Sequence, residues 1–159
     1  MAEPSDDRSD ITIDNSTATW TINAVGDING TYVGTFKFKC YLDPMEQIRA
    51  NRDYREMIGA NPLGVPEHES FLAYALTQLK YRVISAPPFW HSTQSVGGNI
   101  PDENIISEVL NAAVDSEVIY RARLKKRREE ALEKAKKAAE KMLKEQQGEA
   151  AKEDQENEG

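Results

Sequence analysis

Two neighbouring stretches of the chain alternate apolar and polar residues with period two. In the first, Ala18, Trp20, Ile22 and Ala24 interleave with Thr19, Thr21 and Asn23. In the second, Tyr32, Phe36, Phe38, Cys40 and Leu42 share one side, and Thr31, Val33, Thr35, Lys37 and Lys39 take the other. Alternation of this kind predicts strands with one buried face. The residues between them, Gly26-Asp27-Ile28-Asn29-Gly30, tolerate positive φ, so the pair is expected to form a β-hairpin. Gly34 interrupts the apolar side, where a missing side chain would let Trp20 lie across the backbone.

Beyond the hairpin the period lengthens to that of helices. Asp43 and Pro44 supply a cap and a first helical residue, and Met45, Ile48, Tyr54, Met57 and Ile58 a thin apolar stripe. Arg49, Arg52 and Arg55 accompany it, and Gly59 is a natural stop. A second helix is expected to open at Pro66 with Glu67 and Glu69 in its first turn. It carries Phe71, Leu72, Ala75, Leu76, Leu79 and Val83 on one face and ends at Pro87-Pro88. Phe89 and Trp90 then anchor a loop to the core or present themselves to a partner. Residues 92–99, with Gly97-Gly98, read as flexible. Pro101-Asp102-Glu103 starts the last helix, whose face is Ile105, Ile106, Val109, Leu110, Ala113, Ile119 and Tyr120.

After Tyr120 the composition shifts to Lys, Arg, Glu, Ala and Gln, with nothing to break a helix before Gly148. A helix over residues 102–147 would be roughly 70 Å long, more than a small head can cover, so its second half is expected to project or to find a partner. The fold class is therefore α+β: an N-terminal β-hairpin packed on about three helices, the last extended into a long charged C-terminal helix. Residues 1–16 are expected to be a disordered acidic lead-in, with an edge strand at Ile11-Thr12-Ile13 as the alternative. Residues 17–120 form the head, 121–147 the helical extension and 148–159 a disordered acidic tail.

Charge and cysteine usage narrow the function classes. The net charge is -7 over 159 residues, which disfavours attraction of the whole chain to nucleic acid or an anionic membrane. Cys40 is alone, so no internal disulfide can form, and no apolar run approaches a bilayer span. The sequons at Asn15 and Asn29 are accordingly read as coincidental. Cys40, His68 and His91 show no ligand spacing, no nucleophile elbow or phosphate loop occurs, and Cys40 sits on an apolar strand face. No cofactor, metal or catalytic residue is expected, and the chain is read as a binding protein rather than an enzyme.

Two groups of residues are candidates for binding. Arg121, Arg123, Lys125, Lys126, Arg127 and Arg128 form a run without an acid in it. It could meet phosphates or an acidic protein surface, or it could be a solvated helix face paired with Glu129, Glu130 and Glu133. No aromatic residue interleaves it to stack on bases. Leu124, Ala131, Ala135, Ala138 and Met142 approximate a weak coiled-coil seam, so an oligomer through this helix is open. Trp20, Phe89, Trp90 and Leu124 are the candidate protein-binding residues, and core packing accounts for the three aromatics equally well.

The order of these pieces resembles a known class. Gly34-Thr35-Phe36-Lys37-Phe38-Lys39 runs into Leu42-Asp43-Pro44 and an Arg-rich helix closing Tyr54-Arg55-Glu56-Met57-Ile58-Gly59. Pro87-Pro88-Phe89-Trp90, Gly97-Gly98 and Asp102-Glu103-Asn104-Ile105-Ile106 follow. This resembles small structural or assembly proteins of tailed bacteriophages, and most nearly the tail assembly chaperones. The resemblance covers about two thirds of the chain and implies a non-enzymatic partner of a tape measure or another tail protein, in the host cytoplasm or the virion. A minor virion structural or scaffolding protein is the alternative, and a nucleic-acid-associated protein using residues 121–128 is another.

Overall fold

A computed structural model describes residues 8–90 and 100–157 of the chain. Strands β1 (Ile11–Asp14), β2 (Thr17–Val25), β3 (Thr31–Lys39) and β4 (Val83–Ser85) form one antiparallel sheet in that order. Helices α1 (Pro44–Ile58) and α2 (Glu67–Arg82) lie between β3 and β4 in sequence, and α3 (Glu103–Glu156) follows. The fold is α+β. Two compact units divide it, residues 1–120 and 121–159.

The predicted hairpin is present in register: Trp20 faces Phe36, Ala18 faces Phe38 and Ile22 faces Gly34. Its alternation sends Ala18, Trp20, Ile22, Tyr32, Phe36 and Phe38 into the core and leaves Thr21, Thr35 and Lys37 in solvent. Ala75 and Leu79 of α2, and Ile105, Val109 and Ala113 of α3, complete that core. Phe36 is its hub, with Trp90 edge-on at 5.3 Å, Phe89 at 6.1 Å and Phe38 stacked at 5.7 Å between ring centroids.

Several expectations are corrected. Of the two readings of residues 1–16 the edge strand is the one found at Ile11–Asp14, because Ile11 has an apolar slot opposite Trp20 and Arg8 anchors the entry through Asp115 at 2.6 Å. Helix α2 stops at Arg82 rather than at the prolines. Val83 leaves the helix for a bridge to Phe38, and Arg82 is held there by Glu117. Arg82 Nη1 lies 2.6 Å from Glu117 Oε2, near enough for an ion pair although not aligned as a hydrogen bond. The acidic tail is helical through Glu156, since one glycine at position 148 costs only about 1 kcal/mol in a helix and the surrounding Ala, Lys and Glu are strong helix formers. The flexible segment expected over residues 92–99, and His91, lie outside the described residues.

Gly34 is where Pro87, rather than Trp20, crosses the sheet. A Cβ at position 34 would fall 2.2 Å from Pro87 Cγ and 2.5 Å from Pro87 Cβ. A rigid ring cannot yield to it as a long side chain would. Gly34→Ala is therefore expected to destabilise the chain by about 1–3 kcal/mol, the usual range for overpacking. Thermal melts of Gly34→Ala, Pro87→Gly and the double variant measure this, and the penalty should shrink in the Pro87→Gly background. An equal penalty in both backgrounds would mean that the ring is not the obstacle.

A second close approach ties α3 to the hairpin. Asp102, fully buried, directs its carboxylate at the turn between β2 and β3 instead of at its own helix. It accepts hydrogen bonds from the Ile28 N–H, from the Asn29 N–H at 3.1 Å and from the Tyr32 hydroxyl at 2.5 Å. The absent side chain of Gly26 makes the room, as a Cβ there would sit 2.5 Å from the carboxyl carbon. Asn104 adds a bond from its side-chain amide to the Val25 carbonyl at 3.0 Å. Burial pushes the Asp102 carboxyl up, but the Tyr32 hydroxyl and the two N–H donors outweigh it and hold the group below its ordinary value. The same bond raises the Tyr32 phenol.

A carboxyl depressed in the folded state contributes stability above its unfolded pKa of about 3.9, and that contribution disappears as pH falls through the folded value. Asp102→Asn is thus expected to lower the melting temperature at pH 7 and to flatten its decline below about pH 4. Circular dichroism melts from pH 7 to pH 2 would check this. Parallel curves for variant and wild type would show that the carboxylate is not the acid-sensitive group.

Candidate functional site

The three candidate aromatics of the head are placed by the sheet and the Pro-Pro turn. Trp20 is 5% exposed and Trp90 1%, and Trp20 Nε1 donates to Asp10 at 2.9 Å. Phe89 is half-buried, with Tyr32 edge-on at 5.0 Å. All three belong to the core or pack against it, which is the packing alternative weighed for them. Trp90 Nε1 finds no hydrogen-bond acceptor among the described residues.

Outward apolar residues of the head include Val25, Ile28 and Val33 of the hairpin and a group on α1 and its surroundings. The stripe expected to pack is solvent-facing at Met45, Ile48 and Met57, each more than half exposed, and Tyr41 and Leu63 are exposed beside them in sequence. Ala50 is the only buried residue of α1. The helix is held to α2 by its polar side: Lys80 Nζ lies 2.8 Å and the Tyr81 hydroxyl 2.7 Å from one oxygen of Asp53. These two donors, Lys80 foremost, keep the Asp53 carboxyl below its ordinary range. Asp43 caps α1 as predicted, accepting from the Glu46 N–H at 2.8 Å, and Gly59 closes it. An open depression of about 610 Å³ at that end is lined by Arg52, Arg55, Glu56, Ile58, Ala60 and Pro62. Its walls combine two arginines and one glutamate with apolar residues, and Arg52 Nε lies 4.0 Å from Glu56 Oε1.

The titratable groups inside the head are engaged with one another. Asp10 is held below its ordinary value first by Arg8, and Arg8 is raised by the same contact. His68 Nε2 lies 2.8 Å from Glu103 on the surface. Cys40 is buried in the core. Among the described residues no group of three or more His, Cys, Asp or Glu could hold a metal ion, and no helix is long and apolar enough to cross a membrane.

The second unit carries the remaining candidates. Arg121, Arg123, Lys125, Lys126, Arg127 and Arg128 are all exposed, and so is every residue on to Asn157. Leu124 is 42% exposed, Leu132 and Met142 62% and Leu143 58%. Ion pairs along the helix support it, as between Glu133 and Lys137 at 3.2 Å. What the sequence did not single out is Asp102. Its partners are backbone N–H groups of a turn some seventy residues earlier, which no spacing between side chains reveals. Comparison with known protein families, with characterised proteins and with solved structures finds no match to this chain.

Proposed function

We propose that this chain is a non-enzymatic protein-binding factor and that residues 121–157 are its binding element. One observation carries the reading: a helical unit of this length keeps every side chain in solvent, including Leu124, Leu132, Met142 and Leu143. Scattered exposed apolar residues are ordinary, but four large ones on a helix with no buried face of its own lack the usual reason for being there. The apolar outer residues of α1, Met45 and Ile48 with Arg49 and Arg52 beside them, offer a second surface of the same character.

The resemblance to tail assembly chaperones gives the proposal its specific form: a factor of tailed-phage particle assembly whose partner is a tape measure or another tail protein. A minor virion structural or scaffolding role uses the same surfaces. A nucleic-acid role is the second reading, favoured by the exposure of all six basic residues of 121–128.

Binding of the full chain to purified tail proteins of its particle, measured by interferometry, separates these. Association is expected, with affinity reduced at least tenfold (about 1.4 kcal/mol) by Leu132→Asp with Leu143→Asp. No association with any particle component would overturn the assembly reading. A gel shift on duplex DNA at low salt, abolished by neutralising Arg127 and Arg128, would transfer the function to the second reading.

A further inference from the structure

Along residues 121–156 one stripe of positions recurs at alternating spacings of three and four, the period of a coiled-coil seam. At its start the stripe holds Arg121, Lys125 and Arg128. Its centre holds Leu132, Ala135, Ala139 and Met142, followed by Gln146, and its end Glu149, Glu153 and Glu156. The flanks are apolar too, with Leu124, Ala131 and Ala138 on one side and Leu143 on the other. One seam thus has an apolar middle, a basic beginning and an acidic end, all of it exposed.

Read in reverse, that stripe is its own complement. With two helices antiparallel and centred near residue 137, Leu132 meets Met142 of the second copy and Ala135 meets its Ala139. Further out, Arg128 meets Gln146 of the second copy, Lys125 meets its Glu149 and Arg121 meets its Glu153, while Glu156 lies past the paired stretch. Each contact occurs twice, as a two-fold interface requires. A parallel pair would instead set Arg121, Lys125 and Arg128 against themselves and Glu149 and Glu153 likewise, which like-charge repulsion disfavours. Alanines at the centre let the two backbones come to the near end of the usual 8–10 Å helix separation.

We propose that residues 121–153 pair antiparallel with the same residues of a second copy, the charged ends of the seam fixing the direction. The proposal rests on the reading of this unit as a binding element and names what binds it. It also gives the basic run a use within the protein, since its complement is the chain's own acidic end.

Sedimentation equilibrium of the full chain is expected to show a dimer that weakens as salt screens the outer pairs. Arg121→Glu with Lys125→Glu should weaken dimerisation at least tenfold, and so should Glu149→Lys with Glu153→Lys. Both sets on one chain should restore it. Circular dichroism verifies that each variant remains helical. A wild-type monomer at about 100 μM, well above the micromolar dissociation constants of ordinary specific pairs, would overturn the proposal. Single-set variants that dimerise as wild type would also overturn it, because in a parallel pair neither set changes the number of like-charge contacts. A monomer that still binds a tail protein would sink this inference alone. A dimer that binds none would sink the assembly reading alone.

Discussion

A carboxylate with no water around it is stable only where donors have been arranged for it, and Asp102 has its donors from the far side of the head. The turn between β2 and β3 supplies two backbone N–H groups, and Tyr32 supplies its hydroxyl. Neither side is satisfied without the other, because removing the carboxylate would leave those donors unpaired at the edge of the core. The bond set therefore fixes where α3 begins relative to the hairpin. Ile105, Ile106, Val109 and Leu110 follow within two turns, so fixing that start also fixes which face of α3 covers the sheet. Gly26 and Gly34 belong to the same constraint. The first admits the carboxylate, and the second admits the Pro87 ring that brings Phe89 and Trp90 onto Phe36.

Much of this was legible in the sequence, where contacts are local or periodic. The hairpin follows from alternation over residues 18–42 and from its Gly-Asp-Ile-Asn-Gly turn, and α1 follows from Asp43, Pro44 and Gly59. The packing face of α3 follows from its spacing. What escaped is short and non-local. β4 is three residues long, and Val83 fits a helical stripe as well as a strand, so only the partner strand decides between them. β1 was open in the sequence only as an alternative to disorder, since it depends on Arg8 reaching Asp115 across the fold. The stripe of α1 misled, because Met45 and Ile48 have the period of a buried face and yet lie outside. The helix is anchored by Asp53, Ala50 and Tyr54, whose ring meets Tyr74 edge-on at 6.4 Å.

The two units are stable for opposite reasons. The head buries an apolar core and gives its inner charges fixed partners, Glu117 for Arg82 and neutral donors for Asp102. The unit from Arg121 onward buries none. It relies on helix-forming residues and on ion pairs worth a few tenths of a kcal/mol each. Such a helix is marginal on its own terms, so an interface that covers its apolar middle would add stability as well as contact. The long run of alanine and charge that makes the unit helical in solvent is also what leaves it shallow enough to lie against a second helix.

Direction is what charge adds to that contact. An alanine-rich seam is nearly indifferent to the orientation of its partner, because small side chains interlock weakly in either sense. The separation of Arg121 and Lys125 from Glu149 and Glu153 by about seven turns removes the indifference. Over that distance the two groups are too far apart to neutralise each other within one helix at physiological salt, where screening acts within about 8 Å. The opposite group on another chain is therefore the one that can bring the two together, and both are met at once only when the second helix runs the other way.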